Sequence, residues 1–252
     1  MAFINSYKTP ADPTQAEILA SLLEPYDLNS IVPVPPILAT ERVALVPFVP
    51  AVHGEPFFAV LQRNPDLQKY FGTLSFGRTF EEFLSCLEKR RRATNRAIFA
   101  IIDKTKEPQD GMDPQGKIAG LIGWTNAAPK QLSLELGPAI ILPEFQGTFV
   151  SRNTLGLLLK YVLDMPSDGG LGYLRVAWCT FLDNGRSIGV AGKMGFKKEG
   201  TRRWANDQGA ETINNSESDE RDLFRYDCII FSVLWGDWVR GTREHVLEQM
   251  RI

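Results

Sequence analysis

A glycine–proline pair sits in the middle of an otherwise apolar, strand-like run. Leu132 to Leu142 reads as one β-strand, and Gly137-Pro138 occupies its centre. Proline has no N–H to give to a ladder, so a bulge or a splayed edge is expected there. The neighbouring segments limit the fold further. Ala97 to Asp103 and Lys117 to Thr125 read as strands, and the polar Lys104 to Gly116 between them predicts a long hairpin. After the interrupted strand comes a helical stripe of Leu155, Leu158, Leu159 and Val162. A strand from Tyr173 to Cys179, a helix over Ser187 to Met194 and a short strand from Phe196 to Gly200 follow. A long strand from Phe224 to Leu234 and a helix from Trp235 to Met250 close the chain. Early antiparallel strands followed by strand–helix–strand–helix–strand predict a mixed α/β sheet in one domain.

Residues 1–40 read as an N-terminal extension, and residues 41–252 as the domain. In the extension, Ile18, Leu19, Leu22 and Leu23 suggest a short helix, and Val32-Pro33-Val34-Pro35-Pro36 forces extended backbone. Arg42 to Phe48 alternates as a strand that Pro47 puts on an edge or stops. Phe57, Phe58 and Leu61 mark a helix. Another starts at Thr79, where Thr79 and Glu82 make a capping box ahead of Phe80, Phe83, Leu84 and Leu87.

Composition removes several classes of function. The 252 residues carry Lys+Arg 28 against Asp+Glu 30, a net charge of -2, so there is no general basic field for nucleic acid. No apolar run approaches the roughly 18 residues of a membrane span, and Met1 to Pro10 lacks a basic-then-apolar signal pattern. Cys86, Cys179 and Cys228 are odd in number and far apart, which fits reduced thiols in a cytoplasmic protein. With two histidines, His53 and His245, no metal site is expected. Lys89, Arg90, Arg91, Arg92 and Arg96 read as cations solvating the end of the Thr79 helix. Residues 205–222, with six acids and one base, read as a mobile loop.

Four motifs stand in a fixed order from Leu132 to Trp238. They are Leu134-Glu135-Leu136-Gly137, then Pro143 to Ser151, then Asn184-Gly185-Arg186-Ser187 with Lys193 to Gly200, and last Tyr226 to Leu234 with Trp238. Their order and spacing resemble the GNAT (GCN-related) N-acetyltransferases, and are most similar to the branch that acetylates ribosomal-protein N-termini. Thr40 to Leu45 resembles the family's opening strand, so the likeness covers about residues 40–240. It implies a central, mostly antiparallel twisted sheet flanked by helices, and acetyl-CoA as co-substrate. It also implies a primary amine as acceptor, on a small metabolite or a peptide N-terminus. Two positions depart from the family. Phe149 holds the place of the second small residue of the acyl-CoA loop, and Ala191 the place where many members carry a Tyr acid.

The residues support this chemistry in physical terms. A strand ending at Pro143, then Gln146-Gly147-Thr148, then a helix, gathers N–H groups at a positive helix terminus suited to a diphosphate. Gly147 permits close approach, the hydroxyls of Thr148 and Ser151 add donors, and Phe149 and Val150 complete the loop. The same stretch also reads as an ordinary strand-to-helix turn. Glu135 is a lone carboxylate in an apolar strand, a candidate base for the amine. It also fits a solvent-facing position in an alternating strand. Backbone N–H groups of Ala139, Ile140 and Ile141, freed by Pro138, are candidates to hold the thioester oxygen. Asn184 reads as a helix cap, the resemblance implies that it also contacts the pantetheine arm of the cofactor, and Ser187 and Tyr226 are candidate proton donors.

Two rivals use the same residues. Gly185-Arg186-Ser187-Ile188-Gly189 matches a hydrolase nucleophile elbow, but no strand runs straight into it and too few elements separate it from His245. A GNAT-like protein that binds acyl-CoA without turnover is the other. The expectation is direct transfer in a ternary complex, without an acyl-cysteine and without metal, by a monomer or homodimer.

Overall fold

A computed structural model of the protein describes residues 3–70, 76–108, 116–203 and 227–252. Eight strands form one open sheet. They are β1 (Leu38–Ala39), β2 (Val43–Pro47), β3 (Ala97–Asp103), β4 (Lys117–Ala128), β5 (Ser133–Ile141), β6 (Arg175–Phe181), β7 (Lys197–Arg202) and β8 (Cys228–Leu234). They lie in the order β1-β2-β3-β4-β5-β6-β8-β7. Every neighbouring pair is antiparallel except β5 with β6. That pair is joined by a helical crossover, as parallel strands require.

Among the described residues the α-helices longer than one turn are α1 (Gln15–Ala20), α2 (Glu55–Arg63), α3 (Phe80–Arg92), α4 (Val150–Leu163), α5 (Gly185–Lys193) and α6 (Arg243–Arg251). Thr79 and Glu82 cap α3 reciprocally, as the sequence predicts. A second such box at Thr14 and Glu17 starts α1. The helix expected from Trp235 to Met250 is broken at Gly241, where φ is 130°, a region open to glycine and closed to most side chains.

Strand register assigns the two faces of the sheet. Phe48 follows β2 and packs its ring on Phe57 of α2 at 6.0 Å and Phe83 of α3 at 6.3 Å, so these helices cover one face. Trp124 of β4 points to the other, where Tyr161 of α4 stacks on it at 6.4 Å. Leu136 lies opposite Trp124, and Trp178 opposite Leu136, so Trp178 shares the α4 face. Its Nε1 donates to Ser187 Oγ of α5 at 2.9 Å. Glu135, Ala177 and Cys179 alternate onto the α2–α3 face. The N-terminal segment lies against the domain: Ile18 and Val32 are buried in the one core, and Tyr161 donates to the Pro33 carbonyl at 2.7 Å. Among the described residues no helix is long and apolar enough to cross a membrane.

Candidate active site

The interrupted strand makes an opening in the sheet. β5 and β6 pair only over Ser133–Leu136 and Arg175–Trp178. Beyond Pro138, Ala139 to Ile141 stay with β4, while Cys179 to Phe181 stay with β8. The strands therefore part at the proline, which is the splay anticipated from the sequence. Within the splayed part, Leu142 donates to Ala119 of β4 at 2.9 Å. By alternation Ile140 also turns its backbone to β4, and its carbonyl crowds Gly120. This corrects the expectation for Ile140, whose N–H is held in the ladder. Ala139 and Ile141 are the residues whose backbone faces the opening.

Both helices that follow these strands begin at the opening. Between β5 and α4, Gly147 has φ 77° and is exposed. The N–H groups of Gly147, Thr148 and Phe149, and of Ser151 and Arg152 in the first turn of α4, have no acceptor among the described residues. Thr148 differs from expectation. Its Oγ donates to the Phe145 carbonyl at 2.7 Å and accepts from the Val150 N–H at 3.2 Å, so it braces the loop from within. Among the described residues no hydrogen bond engages the Ser151 hydroxyl. Phe149, in place of the family's small residue, turns to Arg42, whose guanidinium lies 4.4 Å from the ring centroid. Its bulk is thereby kept in the wall. Val150 is fully buried.

The loop and α5 are fastened together. Gln146 Nε2 donates to the Ile141 carbonyl at 2.9 Å, and Arg186 of α5 donates to Gln146 Oε1. Asn184 caps α5 by accepting from the Ser187 N–H at 3.2 Å. Ser187 Oγ accepts from Trp178, and no histidine reaches it. His53 Nδ1 accepts from the Val49 N–H, and His245 Nε2 meets the Lys193 carbonyl at 2.8 Å. Ser187 also sits inside the first turn of α5 instead of on a strand-to-helix elbow, so the hydrolase arrangement is not assembled.

On the α2–α3 face, Glu135 is half-buried and accepts a hydrogen bond from Asn126 Nδ2 at 3.3 Å. Beside it lies a feature that sequence spacing did not suggest. Cys179 and Cys228 come together on β6 and β8, with Arg202 Nη2 at 3.8 Å from Cys179 Sγ. The hydrogen bond between the thiols, then burial, pushes Cys179 up, while the same bond holds Cys228 lower with help from Arg202. Cys179 thus keeps its proton and is a poor nucleophile. Tyr70, also missed, brings its hydroxyl to 3.3 Å from the Asp183 carbonyl and stacks on Phe181. Tyr226 and the acidic segment 205–222 lie outside the described residues.

Residues 42–197 match the family described as the acetyltransferase (GNAT) domain, well over half of the chain. The chain belongs to the GNAT acetyltransferase family. Acyl transfer is therefore its reaction, and it is an N-acetyltransferase. Solved structures agree on the fold of this acetyltransferase. A GCN5-related N-acetyltransferase from Brucella melitensis is 25% identical, with a TM-score of 0.65 over 86% of each chain. Spermidine N-acetyltransferase from Vibrio cholerae, in complex with CoA and spermine, is 16% identical, with a TM-score of 0.54 over 79% of this chain and 99% of that one. Mycobacterium smegmatis RimJ, in complex with CoA-disulfide, is 14% identical, with a TM-score of 0.57 over 82% of this chain and 88% of that one. No curated protein matches the sequence.

Proposed function

We propose that this acetyltransferase moves an acetyl group from acetyl-CoA to a primary amine by direct attack. The acceptor is a small metabolite or a peptide N-terminus, as in the ribosomal-protein branch that the motifs resemble. One observation carries the reading: five N–H groups, on Gly147, Thr148, Phe149, Ser151 and Arg152, have no acceptor among the described residues and lie at the start of α4, beside the place where β5 and β6 part. An array of this kind fits a diphosphate, which needs several donors at one point and gains from the α4 terminus. Acetyl-CoA supplies an activated thioester. The chain's own residues bind, orient and handle protons. The backbone of Ala139 and Ile141 faces the opening and can donate to the acyl oxygen as charge gathers there. Glu135 takes a proton from the amine on the α2–α3 side. Ser187 already accepts from Trp178 and keeps its O–H to give to the departing sulfur, with Tyr226 as the second candidate donor.

The test is calorimetric titration of CoA into Gly147→Glu. A Cβ at Gly147 would meet no atom within 4 Å, so the fold has room for the change. The cost falls on the positive φ and on the approach of the ligand. Loss of two charge-assisted hydrogen bonds, each about 1.5–3 kcal/mol, weakens binding by roughly two to four orders of magnitude. Thr148→Ala weakens it less. A Gly147→Glu protein with the parent's circular dichroism and the parent's CoA affinity sinks the reading.

A further inference from the structure

The basic cluster at the end of α3 does not do what its composition suggests. Arg90 is not a solvated cation but is 5% exposed, with its guanidinium 5.5 Å from the Phe76 ring centroid. Its neighbours are paired. Arg91 grips the buried Glu88 through Nε at 2.7 Å and Nη2 at 2.9 Å, and Arg92 Nε reaches Glu88 at 3.4 Å. Near the C-terminus, Arg243 holds the buried Asp164 with the same two-nitrogen edge, Nε at 2.8 Å and Nη2 at 3.2 Å. In Arg90 that edge is buried and empty. Among the described residues its Nε and Nη2 have no hydrogen-bond partner, and neither does Nε of the adjacent Arg96. Arg90 and Arg96 line a cavity of about 30 Å³ together with Tyr26, Phe48, Leu87 and Ile98, and among the described residues no carboxylate lines it.

The geometry points to a binding site for a small oxyanion, a carboxylate or phosphoryl group, held between Arg90 and Arg96 under the N-terminal segment. A guanidinium edge is a planar fork that matches two oxygens of such a group, and it stays charged under all ordinary conditions. Two such charges left in a poorly solvated pocket repel each other and carry an uncompensated desolvation cost. The strain shows on Arg96, which burial, and then the charge of Arg90, hold below the ordinary guanidinium range. A water molecule fits the volume but neutralises neither charge. An oxyanion does, and it accepts from three donors at once. Tyr26 adds a fourth possible donor, since burial pushes its phenol up to about 12 and keeps the proton in place. The roof over the site is tied down independently. Asn29 Nδ2 donates to the Arg91 carbonyl at 2.9 Å, and Arg91 Nη1 to the Asp27 carbonyl at 3.3 Å. None of the lining residues belongs to the opening between β5 and β6, and β4 and β5 separate β3 from it. The bound anion would therefore clamp residues 26–28 to the end of α3 without touching the cofactor loop.

The experiment is thermal unfolding of the full chain at constant ionic strength, with sodium chloride replaced stepwise by sodium formate or by sodium phosphate. The parent's Tm rises and saturates with at least one of them, by roughly 3–6 °C at ten times the half-saturating concentration. Arg90→Met removes the rise. Formate alone acting identifies a carboxylate as the ligand group, phosphate alone a phosphoryl group, and both a general oxyanion site. A rise that Arg90→Met retains, as binding at Gly147 to Arg152 would produce, overturns the proposal. Should Arg90→Met fail to fold, crystals of the parent soaked in selenate decide. An anomalous peak between Arg90 and Arg96 supports the site. Water there, with selenate absent or elsewhere, overturns it.

Discussion

The proposed base, Glu135, lies apart from the proposed cofactor loop. Its hydrogen-bond partner is Asn126, and it projects to the α2–α3 face, away from α4. Glu135→Gln accordingly lowers turnover about 10²-fold or more while CoA affinity holds. Initial rates across an amine panel with labelled acetyl-CoA measure this, and unchanged turnover at neutral pH removes Glu135 as the base. His53 governs a different property. Burial pushes its imidazole down to about 4, well below the ordinary histidine range, and the Val49 N–H at 2.9 Å occupies the lone pair of Nδ1. The unfolded chain takes up this proton first, so stability falls as pH drops from about 6.5 to about 4, by about 3 kcal/mol in all. Urea unfolding at pH 7 and pH 4.5 detects the loss, and His53→Asn flattens it. A slope equal in both proteins refutes the assignment. Gly147 and Glu135 could be picked out from sequence because each stands out locally, as a glycine before a helix and as an acid among leucines. Arg90 could not. What buries it, Phe76 and Tyr26, comes from other stretches of chain that only the fold brings together.

Among elements, α4 packs against β2, β6 and α6, and its glycine sets how closely α6 approaches. A Cβ on Gly156 would collide with the Met250 side chain of α6. The Met250 carbonyl accepts from Asn153 Nδ2 of α4 at 3.0 Å and from Arg42 Nη2 at 2.6 Å. Gly156→Leu forces α6 outward and costs about 1–3 kcal/mol, read from denaturant midpoints. Gly156→Ala costs less, because the thioether can swing aside. A leucine variant as stable as the parent shows that α6 is not docked through this contact. Sequence patterns revealed these elements unevenly. The parting of β5 was visible because proline cannot donate, a constraint no environment relaxes. The break at Gly241 was hidden, since Trp238, Val246 and Met250 kept an apolar spacing through it and a single glycine is tolerated in many helices. The insertion of β8 between β6 and β7 was equally hidden, because pairing across such a distance leaves no local mark.

Across the whole molecule, the sheet has one parallel joint, and that joint is short. Four residue pairs, Ser133–Leu136 with Arg175–Trp178, connect the strands that precede α4 to those that follow it. Elsewhere the two parts are bridged by side chains: Arg186 to Gln146 across the opening, and Tyr70 to the turn after β6. At the far end α6 returns to lie against α4, and Arg42 grips its last turn. A seam so thin opens more readily than the antiparallel ladders on either side, as locally unfolding units do where few bonds cross. A molecule lodged in the gap therefore works as a rivet. Adding CoA slows amide exchange in β5 and β6 together, well beyond the residues it touches, and hydrogen–deuterium exchange shows whether it does. Protection confined to residues 146–152 means that the seam is already closed without it. Substrate capture by this enzyme is then also an act of assembly, in which two partly independent bodies become one.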